Sequence, residues 1–337
     1  MGPYFQRHTS HFRLAKGERL KSFHGSMPPR REFLNRMLKG AAGLTLFSSG
    51  AGRIFARQNT SAITATKLAD NFLHITGAGA NVLAVTGPDG VLLVNGGLPD
   101  RSRDLLEFVS AQTNSSRIQS VFNTDWHLEN TGSNDALGTA GAKIIAHENT
   151  KLWMGTDIFV DWENRTYKPR PPHALPNQTF YTNGKFTFGK EEVRFGHLGQ
   201  AHTDGDIYVF FPGPNILVTG DVFCAGAYPI PDYCTNGWLG GLTNATKALI
   251  GVSDAKTRVI PGTGPVQPRS ELESQLEMCT TLRTRIAEMM KQGKGANEII
   301  AAAPTKEFDA KWGNPKVFMS VVYRGLWSHV RELGGIV

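Results

Sequence analysis

Four short polar segments constrain this chain more than any other feature. They are Asn123-Thr-Asp-Trp-His-Leu-Glu-Asn-Thr-Gly-Ser-Asn134, Ala201-His-Thr-Asp-Gly-Asp206, Thr219-Gly-Asp221 and Ile260-Pro-Gly-Thr-Gly-Pro265. Each stands at the end of a predicted strand, where a rigid scaffold can hold side chains in fixed geometry. Asp125, His127, His202 and Asp221 supply nitrogen and oxygen donors of the kind zinc, iron or manganese accepts.

The pattern around these segments alternates strands and helices. Residues 64–76 and 81–86 read as strands, with Gly77-Ala-Gly79 between them as a turn, and 91–94 as a buried strand after Gly87-Pro-Asp-Gly90. Residues 100–112 have helical spacing, with Leu105, Leu106 and Val109 on one face. A strand at 120–124, a helix at 134–140 and a strand at 143–146 follow. Residues 155–182 are irregular and rich in proline and aromatic residues. Strands resume at 185–188, 192–197, 207–211 and 216–219, then a helix at 243–252 and a strand at 258–260. Helices at 271–292, 296–302 and 316–333 fill the C-terminal third. Two strand-rich halves, each followed by helices, predict an α/β chain with two packed sheets and helices outside. Residues 58–337 are expected to form one domain, and no internal repeat is evident.

The charge balance bears on partners. The formal net charge is +7, but residues 1–57 hold eleven Lys and Arg against two acids, Glu18 and Glu32. That leaves 25 basic and 27 acidic residues in 58–337, so no nucleic-acid partner is expected. The leader reads as an export signal. Pro29-Arg30-Arg31-Glu32-Phe33-Leu34 resembles a twin-arginine motif, and a weakly apolar run of eleven residues, 37–47, follows it. Such a run is short of the roughly 20 residues a membrane helix needs. Export to the periplasm or outside by the twin-arginine machinery is expected, with cleavage near Ile54-Phe55-Ala56, Met27 as an alternative start and no stable membrane span in the mature protein. Cys224, Cys234 and Cys279 are an odd set and read as small buried residues, although Cys224 and Cys234 would be free to pair in an oxidising compartment.

Taken together, the four segments resemble the metallo-β-lactamase superfamily across roughly residues 62–290. The family motif T-H-x-H-x-D-H-x-G-G-N faces Thr124-Asp-Trp-His-Leu-Glu-Asn-Thr-Gly-Ser-Asn134, G-H-T-x-G-D faces Ala201-His-Thr-Asp-Gly-Asp206, T-G-D faces Thr219-Gly-Asp221, and P-G-H-G faces Pro261-Gly-Thr-Gly264. The resemblance implies an αββα sandwich, here with extra C-terminal helices, and a metal-dependent hydrolase. His127, His202 and Asp221 stand as the family has them. Asp125 replaces the first histidine, Glu129 the motif aspartate, and Asn130 and Thr263 the two histidines of a second site. Asn95 stands where the family often has Asp.

The substitutions fall unevenly. Asp125, His127 and His202 with Asp221 form a two-His, two-carboxylate set suited to one divalent ion, zinc first, with iron or manganese as alternatives. Asn130 and Thr263 are poor ligands, so the second site is expected to be empty. Glu129 and Asp221 are the candidate catalytic residues, with Glu129 orienting or deprotonating a water. The substrate is expected to be a small molecule with an ester, lactone, lactam, thioester or phosphoester bond. Trp153, Phe159, Trp162, Tyr167, Tyr181, Tyr228, Tyr233 and Trp238 are candidates for a lid or pocket wall, or else for the cover of a sandwich edge. His74, His147 and His197 read as structural. Each ligand candidate also has a plain reading, Asp125 as a turn residue and Glu129 as a capping carboxylate. A non-catalytic binding protein on the same fold and an iron-dependent redox protein remain as alternatives.

Overall fold

Residues 62–329 and 331 are described by a computed structural model. The leader 1–57, with Arg30-Arg31 and the proposed cleavage point, lies outside the described residues. The first half of the body forms β1 (Thr64–Ala69), β2 (Phe72–Thr76), β3 (Val82–Gly87), β4 (Gly90–Val94), α1 (Ser102–Thr113), β5 (Ile118–Phe122), α2 (Leu128–Thr131), α3 (Asn134–Thr139), β6 (Lys143–His147) and α4 (Glu148–Met154). A small hairpin of β7 (Ile158–Val160) and β8 (Arg165–Tyr167) follows, then β9 (Gln178–Phe180). The second half forms β10 (Asn183–Phe188), β11 (Glu191–His197), β12 (Ile207–Phe211), β13 (Ile216–Cys224), α5 (Leu239–Val252), β14 (Arg258–Thr263) and β15 (Gln267–Pro268). It closes with α6 (Ser270–Lys291), α7 (Ala296–Ala301), α8 (Asp309–Trp312) and α9 (Lys316–Ser328).

The strands make two large sheets, ordered β1-β2-β3-β4-β5-β6-β9 and β10-β11-β12-β13-β14-β15. β4, β5, β6 and β9 run parallel, as do β13 and β14. Parallel strands are covered on both faces, and the continuous apolar run Gly90-Val-Leu-Leu-Val94 meets that demand. Leu92 and Val94 join Phe122, Val209, Phe211 and Val218 in the core between the sheets. Val91 and Leu93 face the other way, packing with Leu105 and Val109 of α1 and Leu137 of α3. On the far side of the second sheet, Leu217 and Val259 pack with Leu242 of α5, Leu282 of α6 and Phe318 of α9. The layers are therefore helix, sheet, sheet, helix, the αββα sandwich expected. The described residues fall within one compact unit.

Two stretches differ from the sequence reading. Residues 64–76 form a hairpin in which Thr66 pairs with His74 across the turn at Asp70-Asn71. The irregular 155–182 stretch contributes three short strands, and β9 extends the first sheet beside β6. Its three residues are too few to show a period, so tertiary pairing decides their state. Cys224, Cys234 and Cys279 are free thiols. Among the described residues no helix is long and apolar enough to cross a membrane.

Candidate metal centre

The loop after β5 is held rigid before any ligand is placed. Asn123 donates its backbone N–H to the Ile145 carbonyl (3.0 Å), and its side chain exchanges amide hydrogen bonds with Asn134 (3.1 and 2.8 Å). Thr124 donates through its backbone N–H and its hydroxyl to Asn95 Oδ1, both at 3.0 Å. Asn95 itself sits at a positive φ of 68°, a conformation asparagine tolerates better than most residues. The residue facing the family's frequent Asp therefore props the strand end that carries Asp125. The loop after β11 is organised by Asp206, whose carboxylate accepts from the His202 N–H (2.6 Å), the Thr203 N–H (2.9 Å) and the Thr203 hydroxyl (2.8 Å). Burial pushes the Asp206 carboxyl up to about 7, against the pull of these bonds and of His202.

These loops bring Asp125, His127 and His202 together. One ligand atom from each lies within 4.8 Å of the others, and all three side chains are buried. His127 Nδ1 is 3.2 Å from Asp125 Oδ1 and 3.2 Å from His202 Nε2. His202 donates through Nδ1 to the Ile230 carbonyl, which leaves Nε2 bare and directed at the cluster. Two nitrogens and a carboxylate oxygen that converge in this way fit a divalent transition metal. Burial opposes ionisation of Asp125. The hydrogen bond and charge of His127, the charge of His202 and the Asn130 amide nevertheless hold its carboxyl well below the usual range. Burial also opposes charge on His127, but Asp125, Glu129 and Asp232 push its imidazole up to about 10.

Asp221, within β13, reaches this cluster through Asn130. The Asn130 side-chain nitrogen donates to Asp125 Oδ2 and to Asp221 Oδ2, each at 2.8 Å. An amide thus bridges two buried carboxylates at the position from which the family extends a second-site histidine. Burial and the charge of Asp125 push the Asp221 carboxyl up. A Cβ on Gly262 would stand 2.0 Å from Asp221 Oδ1, so the glycine at this point of β14 is what leaves room for this carboxylate. Glu129, in the first turn of α2, is half-buried. Desolvation, reinforced by Asp221 and Asp125, pushes its carboxyl up to about 7 against the opposing charge of His127. Thr263 lines a groove of about 290 Å³ with Thr76, Gly77, Gly79, Asn81, Gly264 and Pro265. Neutral Asn130 and Thr263 do not fit a second ion.

The aromatic residues divide. Trp126 stacks on the His127 ring (4.0 Å between centroids), and Tyr167 of β8 meets Trp126 edge-on at 4.9 Å. Trp153 and Trp162 pack in the same cluster. Tyr228 and Trp238 belong instead to the helical layer, Tyr228 stacked on Phe318 and Trp238 on His329. Phe159 and Tyr181 are exposed. His147 and His197 stack on each other at 3.7 Å, and His147 caps α4 by accepting from the Asn149 N–H, a structural use. His74 is buried in β2.

One residue the sequence did not single out also faces the site. Asp232 is fully buried, and its Oδ2 lies 3.8 Å from His127 Nε2. Its one sequence signal is the stiff run Pro229-Ile-Pro231 before it.

The metallo-beta-lactamase superfamily profile matches residues 75–262, more than half of the chain. Among solved structures, a metallo-beta-lactamase from Pontibacter korlensis is similar at 20% identity and a TM-score of 0.54, covering 65% of this chain and 99% of that one. The DIM-1 metallo-beta-lactamase gives 15% identity and a TM-score of 0.53 over 66% of this chain and 98% of that one. A double mutant of the sec-alkyl sulfatase PisA1 gives 16% and 0.63, over 78% of this chain and 50% of that one. At these identities the likeness shows the fold. With the profile match and the converging Asp125, His127 and His202, it makes this chain a member of the metallo-β-lactamase superfamily.

Proposed function

We propose that the chain is a metal-dependent hydrolase working with one divalent ion, held by Asp125, His127 and His202 with Asp221 alongside. The observation that carries this reading is the convergence of those three ligand atoms within 4.8 Å in a buried pocket. A bound zinc, or iron or manganese in its place, would supply Lewis acidity and lower the pKa of a water. The protein's own residues do the rest. Glu129, two positions after His127 and half-buried beside it, orients the attacking water and takes its proton. It is one methylene longer than the family's Asp, and a displacement of about 1 Å can cost roughly 100-fold in rate. Trp126, with Tyr167 behind it, keeps water off the face of His127. The groove beside Thr263 has no charged lining residue, so it suits a neutral part of a small substrate with an ester, lactone, lactam or related bond.

Metal analysis of the purified mature chain tests this reading. About one ion per chain is expected, with binding lost in His127→Ala and His202→Ala. An assay panel of esters, lactones, lactams and an alkyl sulfate then reads turnover. A wild type that binds no ion, or a His127→Ala variant that stays fully loaded, would sink the proposal. One observation favours a second reading, since two histidines and one carboxylate also form the facial set of iron-dependent redox proteins. Iron in the purified protein without hydrolysis would select it, and no metal at all would select a non-catalytic binding protein. We further propose export by the twin-arginine machinery to the periplasm or beyond, supported by Arg30-Arg31 before the apolar run. Replacing both arginines with lysine should leave the protein in the cytoplasm, and undiminished export of that variant would refute the route.

A further inference from the structure

Residues 230–235, between β13 and α5, reach both ligating histidines. The Ile230 carbonyl accepts from His202 Nδ1. The Asp232 N–H donates to the His202 carbonyl at 2.7 Å. The Asp232 carboxylate faces the other histidine, with Oδ2 at 3.8 Å from His127 Nε2. His127 Nε2 is buried and makes no hydrogen bond, and a buried donor without a partner is rare in a folded protein. Asp232 has capacity for it. Its Oδ1 accepts from the Cys234 N–H (3.0 Å) and its Oδ2 from the Thr235 hydroxyl (2.6 Å), whereas a carboxylate offers about four acceptor positions. At 3.8 Å the two groups are an ion-pair contact, beyond hydrogen-bond distance. The same residues anchor the stacking partner as well, because Trp126 Nε1 donates to the Thr235 hydroxyl oxygen at 3.1 Å.

We propose that Asp232 is a positioning residue for the metal centre, holding the His127 ring through Nε2 so that Nδ1 is the nitrogen offered to an ion. The role rests on the metal-centre reading above. It has a clear physical basis. A ligating histidine needs one nitrogen bare and the other protonated, and a carboxylate on the far nitrogen fixes both the tautomer and the ring orientation. Pro229 and Pro231 fix φ on either side of Ile230 and stiffen the approach to the carboxylate. His127 is then gripped by Trp126 on its face and by Asp232 at its outer edge. His202 is gripped by the same segment through two backbone groups.

The test uses the full chain with zinc or cobalt(II) alone as the probe. Asp232→Asn keeps the shape and the acceptor for the Cys234 N–H but turns the group facing His127 from an acceptor into a donor. The expected result is a zinc Kd raised about 10- to 100-fold, with a changed cobalt absorption spectrum. Cys234→Ala removes side-chain packing from the same turn but keeps the backbone N–H that Asp232 accepts, the Thr235 hydroxyl and the Trp126 anchor. It should lower the melting temperature yet keep the zinc Kd and cobalt spectrum of the wild type. Imidazole nitrogen NMR of the zinc-loaded wild type should show His127 metal-bound through Nδ1 and protonated at Nε2, and this measurement decides the matter if Asp232→Asn does not fold. An unchanged Kd in Asp232→Asn, or a His127 bound through Nε2, overturns the positioning role while leaving the metal centre standing. A wild type that binds neither ion overturns both.

Discussion

Asn130 offers the sharpest energetic test of the altered site. The sequence reading treats it as a lost ligand, so its removal should matter little. The structure gives it work, because one amide nitrogen donates to the buried carboxylates of Asp125 and Asp221 at 2.8 Å each. A hydrogen bond to a charged group contributes about 1.5–3 kcal/mol, and a buried acceptor stripped of its donor carries the desolvation cost in full. Two such bonds give about 3–6 kcal/mol for Asn130→Ala, and water entering the vacated space should bring the loss toward the lower end. For a body of this size each kcal/mol moves the melting temperature by about 2–4 °C. Thermal unfolding in the presence of a chelator should therefore show a drop of roughly 6–12 °C at the 3 kcal/mol end. Asn130→Asp, of the same shape, exchanges the donor for a third carboxylate and should unfold at a lower temperature still. A drop below about 2 °C in Asn130→Ala, or an Asn130→Asp variant more stable than Asn130→Ala, would refute the bridging argument.

Restoring the family's ligands by Asp125→His, Glu129→Asp, Asn130→His and Thr263→His should bind two equivalents of zinc in a titration; a folded variant that takes up no more than the wild type would mean that the loops do not align as read. Gly241, in the first turn of α5, would place a Cβ 1.4 Å from the Gln200 carbonyl oxygen. Gly241→Ala must push back the loop carrying His202, so both urea stability and metal affinity should fall, and an unchanged pair of values would refute the contact. Burial lowers the pKa of both His147 and His197, and the charge of His197 adds to the effect on His147 while Asp204 and Glu148 oppose it. The unfolded chain thus takes up protons near pH 6.5 that the folded one refuses, so stability is complete above that pH and is lost as pH falls below it. His147→Asn keeps a helix cap and removes the ring; its stability curve should fall less steeply on the acid side, and superimposable curves would count against the pair.

Much of this architecture is legible in the sequence because its signals are local. The apolar run of β4, the helical spacing of α1 and the polar segments at strand ends all report burial by one or two neighbouring layers. What was missed depends on partners far along the chain. The break at Asp70-Asn71 carries no glycine or proline, so 64–76 looks continuous until His74 is seen pairing back onto Thr66. The β9 strand exists because β6 offers an open edge. Tyr228 and Trp238 follow Asp221 closely in sequence, yet they turn into the helical layer because Phe318 and His329 wait there. Within the site, Asp125, His127 and His202 could be named from motif spacing. Asp232 could not, since 105 positions separate it from the His127 ring it faces.

The replacements at 125 and 130 are best understood as one change. A histidine at 125 would be a neutral ligand, and the residue at 130 would then face one buried carboxylate, Asp221, rather than two. Asp125 adds a second buried carboxylate within reach of the first, and such a pair is costly in a low-dielectric pocket unless something positive or donating stands between them. In a two-metal relative a cation can do so. Here the Asn130 amide does so with two hydrogen bonds, and it is neutral, short and fixed by α2. A histidine at 130 cannot donate one nitrogen's protons to both acids, so Asn130→His alone should be poorly tolerated. Asp125→His alone removes one of the two acceptors and leaves the amide half used. Made together, the two substitutions relieve each other. A double-mutant cycle on the chelator-treated protein should therefore show a favourable coupling between the sites of about 0.5–3 kcal/mol, the range for residues sharing one hydrogen-bond network. Additivity within about 0.3 kcal/mol, the behaviour of distant sites, would mean that the two positions drifted independently and that the amide bridge has no part in holding the carboxylates together.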